Sequence, residues 1–173
     1  MRFLFWTLIF FLLTIFQAGF LTEILGNSLV INLVFLVALS ASLIKGRREA
    51  FALAVIAGFF LDIFSGHFFG PGVLALALTC LFSSVVIKTI LTRLNVLVLM
   101  TTGIFMTFLY YGLFSFFSWL STGLGGKLWL VFSKENAGFL LGQLALNAFL
   151  FLGVFYPIKY LDAKFRTRRF TNF

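Results

Sequence analysis

Six long apolar runs follow one another along the chain, each separated from the next by a few polar or charged residues. A helix that crosses a bilayer needs about 20 predominantly apolar residues, because lipid offers no hydrogen-bond partner to its backbone. The runs therefore predict an all-α polytopic membrane bundle of about six transmembrane helices. The predicted spans are residues 3–21, 25–44, 50–64, 71–87, 96–120 and 137–158.

The basic residues between the runs predict how the chain is threaded. Lys and Arg kept in short cytoplasmic loops set the orientation of a membrane protein. When the N-terminus is placed inside, only Lys127 and Lys134 of the 13 Lys and Arg residues fall outside. We therefore predict that both termini are cytoplasmic.

Composition supports one membrane domain. Hydrophobic residues make up 62% of the chain and charged residues 10%, against about 45–50% and 25% in soluble domains. The net charge of +8 does not indicate a nucleic-acid-binding protein, because the basic residues form short clusters between apolar runs instead of one solvated face. The sequence predicts a transmembrane domain over residues 1–158 and a basic cytoplasmic tail over residues 159–173.

Asp62 is the acidic residue that falls inside a predicted span. An ionisable group inside a membrane span suggests a functional site. Asp62 lies near the C-terminal end of its helix, where the helix dipole disfavours a negative charge. We therefore expect hydrogen-bond donors around it. The first interpretation is that Asp62 caps the following turn and accepts amides near Gly66; partner docking and ion binding are the alternatives.

Small residues recur every fourth position around Asp62. Small residues at this spacing form a ridge along one face of a helix, and a ridge of this kind lets two helices approach closely. The fourth span repeats the spacing with Ala75, Thr79 and Ser83. We expect the two ridges to pack inside the chain, with another protein's helix as the alternative. The first ridge consists of Ala50, Ala54, Gly58, Asp62, Gly66 and Gly70.

The sixth span carries a second packing signal. Gly138 and Gly142 form a G-x-x-x-G pair, which is typical of close helix contacts. Gln143 and Asn147 lie beside it, and we expect them to hydrogen-bond across helices.

Two segments outside the spans are predicted to contact lipid or a partner. The loop around Trp129 is too apolar for water and is expected at the membrane interface or under a partner. The tail is expected to act as an orientation anchor or to contact anionic lipid. Its basic residues in that role are Lys164, Arg166, Arg168 and Arg169.

No catalytic constellation is evident in the sequence. His67 is the only histidine, and neither a nucleophile with its base nor a metal-ligand set of the usual His, Cys and carboxylate type can be assembled around it. We therefore expect a protein that is not an enzyme and has no metal or cofactor.

One segment carries a family resemblance. Gly58-Phe59-Phe60-Leu61-Asp62 is a Gly-x-x-x-Asp core, followed by Ile63-Phe64-Ser65-Gly66 and by Gly70-Pro71-Gly72-Val73-Leu74-Ala75-Leu76. This pattern resembles the MreD family of bacterial rod-shape-determining membrane proteins. Asn32-Leu33 fits the start of that family's second span, although Ile31 stands where the family often has proline.

The resemblance implies a non-enzymatic scaffold subunit of the cell-wall elongation machinery in the bacterial inner membrane. Such a subunit pairs with the single-span protein MreC and works alongside MreB, RodA and a penicillin-binding transpeptidase. On this reading Asp62 serves assembly, so Asp62→Asn is expected to retain membrane insertion but to weaken partner binding.

The alternative function is that of a small-molecule-binding transporter subunit. The MreD family is similar in size and span count to the vitamin-binding S-components of energy-coupling-factor transporters, and their fold is a possible template for the bundle. Those proteins carry an Ala-x-x-x-Ala motif in the first span. That motif is absent here, since Ala18 is the only alanine before Ala38.

Overall fold

The computed structural model describes residues 2–21, 31–65, 69–90, 95–121 and 137–167, and their regular secondary structure is entirely helical. Helix α1 continues into a π-helical turn, Gln17–Leu21. The number of helices agrees with the six predicted apolar runs. The helices are α1 (Arg2–Phe16), α2 (Leu33–Ile44), α3 (Arg47–Ser65), α4 (Pro71–Ile90), α5 (Val96–Ser121) and α6 (Ala137–Thr167).

Helix α2 is the centre of the bundle. Ten of its 12 residues are buried, and it contacts α1, α3, α4 and α6. The surrounding helices pack side by side in the order α1, α3, α4, α5, α6. A helix that is apolar on all sides suits such a position, because every one of its faces meets another helix.

Helix α2 differs from its prediction. Its α-helix begins at Leu33, because Asn32 has a non-helical backbone and its side chain accepts the Phe35 amide as an N-cap. The predicted span over residues 25–44 is therefore wrong at residues 31 and 32, which are not helical, and its part over residues 25–30 lies outside the described ranges. At 1.5 Å per residue α2 is about 18 Å long, shorter than the roughly 30 Å of a bilayer core.

Helix α6 is longer than its predicted span. It runs without a break from Ala137 to Thr167, about 46 Å at the usual helical rise. The segment predicted as a separate tail therefore begins as a continuation of this helix. This length exceeds the roughly 30 Å of a bilayer core by about ten residues.

The outer surface of the bundle is strongly apolar. Leu4, Leu97 and Phe149 are each at least 70% exposed, and many other large apolar side chains face outward. Several hydroxyl side chains are buried inside, among them Ser40, Ser42 and Thr79. Within the described residues, two segments, Val96–Ser121 and Leu144–Ala163, are long and apolar enough to cross a membrane.

Candidate helix-packing site around Asp62

The Asp62 carboxylate joins α3 to the start of α4. Asp62 is 4% exposed. Its Oδ2 accepts the Gly70 amide at 2.8 Å and the Val73 amide at 3.1 Å, and its Oδ1 accepts the Gly72 amide at 2.9 Å. The Gly72 and Val73 amides lie in the first turn of α4 and the Gly70 amide lies just before it. The N–H groups at the start of a helix have no internal acceptors. Asp62 therefore acts as an N-terminal cap for the helix that follows its own.

This arrangement supplies the donors that the sequence required. The C-terminal end of α3 is unfavourable for a carboxylate, but the N-terminal end of α4 carries the opposite partial charge and faces it. The capping interpretation placed the donors near Gly66, which lies outside the described residues. Among the described residues, the backbone amides of residues 70, 72 and 73 donate to Asp62.

Glycines make this close approach of α3 and α4 possible. A Cβ atom on Gly58 would stand 2.6 Å from the Cα of Val73 and 3.1 Å from the Gly72 carbonyl oxygen. A Cβ atom on Gly72 would collide with the Asp62 Oδ1 atom. Gly70 has a φ of 123°, which side chains rarely allow. The Gly-x-x-x-Asp core and the Gly-Pro-Gly segment are thus the two halves of one packed hairpin.

We expect Gly58→Ala to destabilise the protein by about 1–3 kcal/mol, the usual range for forcing an extra group into a packed site. The new Cβ would meet backbone atoms of α4, which cannot move aside as a flexible side chain can. Thermal unfolding in detergent measures the loss. Gly142→Ala is the matched control, because nothing lies within 4 Å of a Cβ at that position. Equal stability of the two variants would contradict the close contact.

The predicted ridges are buried where they lie within described helices, but they do not face each other along their whole length. Ala50, Ala54 and Gly58 on α3 are buried, and Gly58 faces the start of α4. In the second half of α4 the Ser83 hydroxyl hydrogen-bonds Ser42 of α2 at 2.6 Å. The α4 ridge therefore contacts the central helix as well as α3.

A second polar cluster holds the start of α2. The Asn32 Oδ1 atom accepts the Phe35 amide at 3.0 Å, and the Gln17 Oε1 atom accepts the Val34 amide at 3.2 Å. The Asn32 Nδ2 atom donates to the Tyr110 hydroxyl at 3.4 Å. Two side chains thus satisfy amides that the interrupted helix leaves unpaired.

The two polar clusters are neighbours. Asp62 lies within electrostatic range of the Tyr110 hydroxyl, and the Tyr110 ring stacks on Phe35 with 4.7 Å between the ring centroids. The starts of α2 and α4 are therefore both capped by buried side chains in one region of the bundle. Nothing in the sequence singles out Gln17 or Tyr110 as a site residue.

A third cluster lies at the opposite end of α2. Lys45 is 7% exposed, and its Nζ atom lies 3.7 Å from Asp162 Oδ1 and 3.6 Å from Glu49 Oε2. The same Nζ atom lies 4.9 Å from the centre of the Trp6 ring, within the range of a cation–π interaction. Lys45 therefore brings the beginning of α1, the end of α2 and the C-terminal part of α6 together at one end of the bundle.

The remaining predicted site residues are not brought to Asp62. Gly142 is exposed, with open space around it. Gly138 lies in the first turn of α6, and Lys164 and Arg166 lie in its last turns. Within the part of the chain that the structure describes, the Asn147 amide group has no hydrogen-bond partner, so the bond expected of it is not formed there. Gly66, Trp129, Arg168 and Arg169 lie outside the described residues.

Comparison with known proteins does not assign the chain to a family. No family model matches it, and no similar protein is found among curated proteins or solved structures. The geometry of the described residues and the resemblance of the Gly58–Asp62 core are therefore the grounds for a functional proposal.

Proposed function

We propose that this protein is a non-enzymatic scaffold of the bacterial cell-wall elongation machinery, of the MreD kind. It crosses the inner membrane six times, with both termini in the cytoplasm, and binds a single-span protein of the MreC type. MreB, RodA and a penicillin-binding transpeptidase are the further members of that assembly.

The use of Asp62 is the observation that carries the proposal. An enzyme or an ion transporter would need this intramembrane carboxylate to meet a substrate or an ion. Here its two oxygens accept three backbone amides of α4, and Gly58 and Gly72 bring the two helices together around it. The residues that carry the family resemblance thus serve the architecture of the hairpin, as a scaffold requires.

The surface of the bundle supports the membrane part of the proposal. Large apolar side chains such as Leu97 and Phe149 are exposed, and a surface of this kind is stable only against lipid or another protein. Arg47, Arg48 and Lys159 are exposed near the Lys45 end of the bundle, where the orientation rule places the cytoplasm. The partner's single helix would contact the apolar surface between lipids.

Co-purification tests the proposal. The tagged protein is co-expressed with an MreC-type single-span protein, extracted in a gentle detergent and isolated through its tag. We expect the partner to be retained in a stoichiometric complex. An unrelated single-span protein, expressed at the same level, is the control. Recovery of the protein without the MreC-type partner, or with both partners equally, would count against the proposed function.

A further inference from the structure

The α3–α4 hairpin is shorter than the helices that follow it. The Lys45 Nζ atom pairs with both Glu49 and Asp162, so these two residues mark one level at the Lys45 end of the bundle. From that level α3 runs about 24 Å to its last residue, Ser65, whereas α6 runs about 38 Å to its first residue, Ala137. Helix α6 therefore extends about 14 Å beyond the end of α3.

A second pair of residues gives a similar result for α5. Asp62 lies within electrostatic range of the Tyr110 hydroxyl, which marks a common level on α3 and α5. Beyond that level α3 continues about 5 Å to Ser65, whereas α5 continues about 16 Å to Ser121. Both α5 and α6 thus extend about 12–14 Å farther from the Lys45 end than the hairpin tip, by which we mean Ser65 and residues 69–71.

The parts of α5 and α6 beyond the hairpin tip are apolar. Phe116 and Leu120 of α5 are 52% and 55% exposed, and residues 137–142 at the start of α6 include no charged residue. Apolar helix surfaces of this kind are stable against hydrocarbon. A bilayer that fits α5 and α6 therefore reaches beyond the hairpin tip.

Hydrocarbon cannot cover the hairpin tip without cost. The Ser65 side chain is exposed, and the last carbonyl groups of a helix have no donors within that helix. Lipid tails offer no donors either. Asp62 satisfies amides at the start of α4, but a carboxylate only accepts hydrogen bonds and cannot serve the carbonyl groups of α3. Water between phospholipid headgroups can supply such donors.

We propose that the hairpin tip is a contact surface for phospholipid headgroups, over which one leaflet of the bilayer is locally thinned. This inference rests on the membrane placement in the proposed function, which makes the thinned leaflet the outer one. A bilayer accommodates a short hydrophobic segment by thinning around it. Headgroups and water then reach the hairpin at a depth where α5 and α6 are still surrounded by lipid tails.

Cysteine labelling in phosphatidylcholine nanodiscs tests the contact. Ser65→Cys places a thiol at the hairpin tip. The matched control is Ala145→Cys, because Ala145 is also small and exposed and lies about as far from the Lys45 end, roughly 25 Å along α6. A membrane-impermeant maleimide reacts with the thiolate, which forms in water and not in hydrocarbon, so Ser65→Cys should react about tenfold faster than Ala145→Cys.

Two further variants and the native cysteine calibrate the labelling. Phe69→Cys, at a position that is 62% exposed in the hairpin tip, should react like Ser65→Cys and repeats the test at a second position. Ser121→Cys, at the exposed end of α5, should react fast because it lies at the far end of the longer helices. Cys80 is fully buried and should give no background. Thermal unfolding confirms that each variant is folded before it is labelled.

The pattern of rates separates two failures. Slow reaction of Ser65→Cys and Phe69→Cys, equal to that of Ala145→Cys while Ser121→Cys reacts fast, would show that hydrocarbon covers the hairpin tip and would overturn the inference. Equally fast reaction of all four variants would instead mean that these helices do not lie in the bilayer. That result would reject the membrane placement in the proposed function.

Discussion

Replacing Asp62 with alanine is expected to destabilise the protein by about 3 kcal/mol or more, because buried donors without acceptors are costly and lipid cannot replace the carboxylate. The variant leaves the amides of Gly70, Gly72 and Val73 without their acceptor at the start of α4. It also removes the negative charge from a helix N-terminus. The free energy of unfolding, measured by denaturant titration in mixed micelles, should show this loss.

Asp62→Asn is the graded control for this prediction. The carboxamide keeps one acceptor oxygen but presents N–H groups to the second acceptor position, so its stability should lie between those of the unmodified protein and Asp62→Ala. The loosened start of α4 is also the physical reason to expect weaker partner binding from Asp62→Asn. Stabilities of both variants within about 0.5 kcal/mol of the unmodified protein would show that the three hydrogen bonds are not important.

The sequence predicts most helix boundaries well, because Gly, Pro and charged residues interrupt the apolar runs. Pro71 follows Gly70 and begins α4 as expected, and α5 begins at the predicted Val96. Proline suits the first turn of a helix and interrupts a longer one. The apolar run over residues 25–44 does not mark the start of α2, because a single Asn32 hardly interrupts its hydropathy. The family resemblance put the start of a span at Asn32-Leu33, and the cap geometry places the start of α2 there.

The candidate site was predictable only in part. Asp62 stands out as an acid inside an apolar run, and its need for donors follows from the helix dipole. Its actual donors depend on how the hairpin closes, which spacing alone does not determine. The pairing of Asn32 with Tyr110 joins residues 78 positions apart. A single sequence contains no signal for such a contact.

Lys45 illustrates the same limit for charged residues. The sequence places it among the cytoplasmic loop residues that set orientation, as an exposed cation would be. In the structure it is buried between Trp6 and Asp162. The difference arises because α6 continues past the predicted end of its span and brings Asp162 to the end of α2. An apolar run underestimates the length of a helix when polar residues continue it. The extra length of α6 is what buries Lys45.

Replacing Lys45 with methionine is expected to destabilise the protein by about 3 kcal/mol, because breaking a mostly buried ion pair by removing one of its members is costly. Asp162 is 14% exposed in its side chain and would lose the cation 3.7 Å away. Glu49 is 53% exposed, so water screens it and Glu49→Gln should cost less than about 1 kcal/mol. Thermal unfolding of the two variants in the same detergent compares these effects.

The double variant Lys45→Met with Asp162→Leu decides whether Lys45→Met loses stability through the charge pair or through packing. If the loss comes from the Lys45–Asp162 charge pair, removing the Asp162 charge as well should restore most of the stability, since apolar side chains often replace a buried pair without cost. A double variant as unstable as Lys45→Met alone would point instead to lost packing against Trp6. In either case the position of Lys45 links α1, α2 and α6. The ends of these helices that meet at Lys45 should therefore separate first when the variant unfolds.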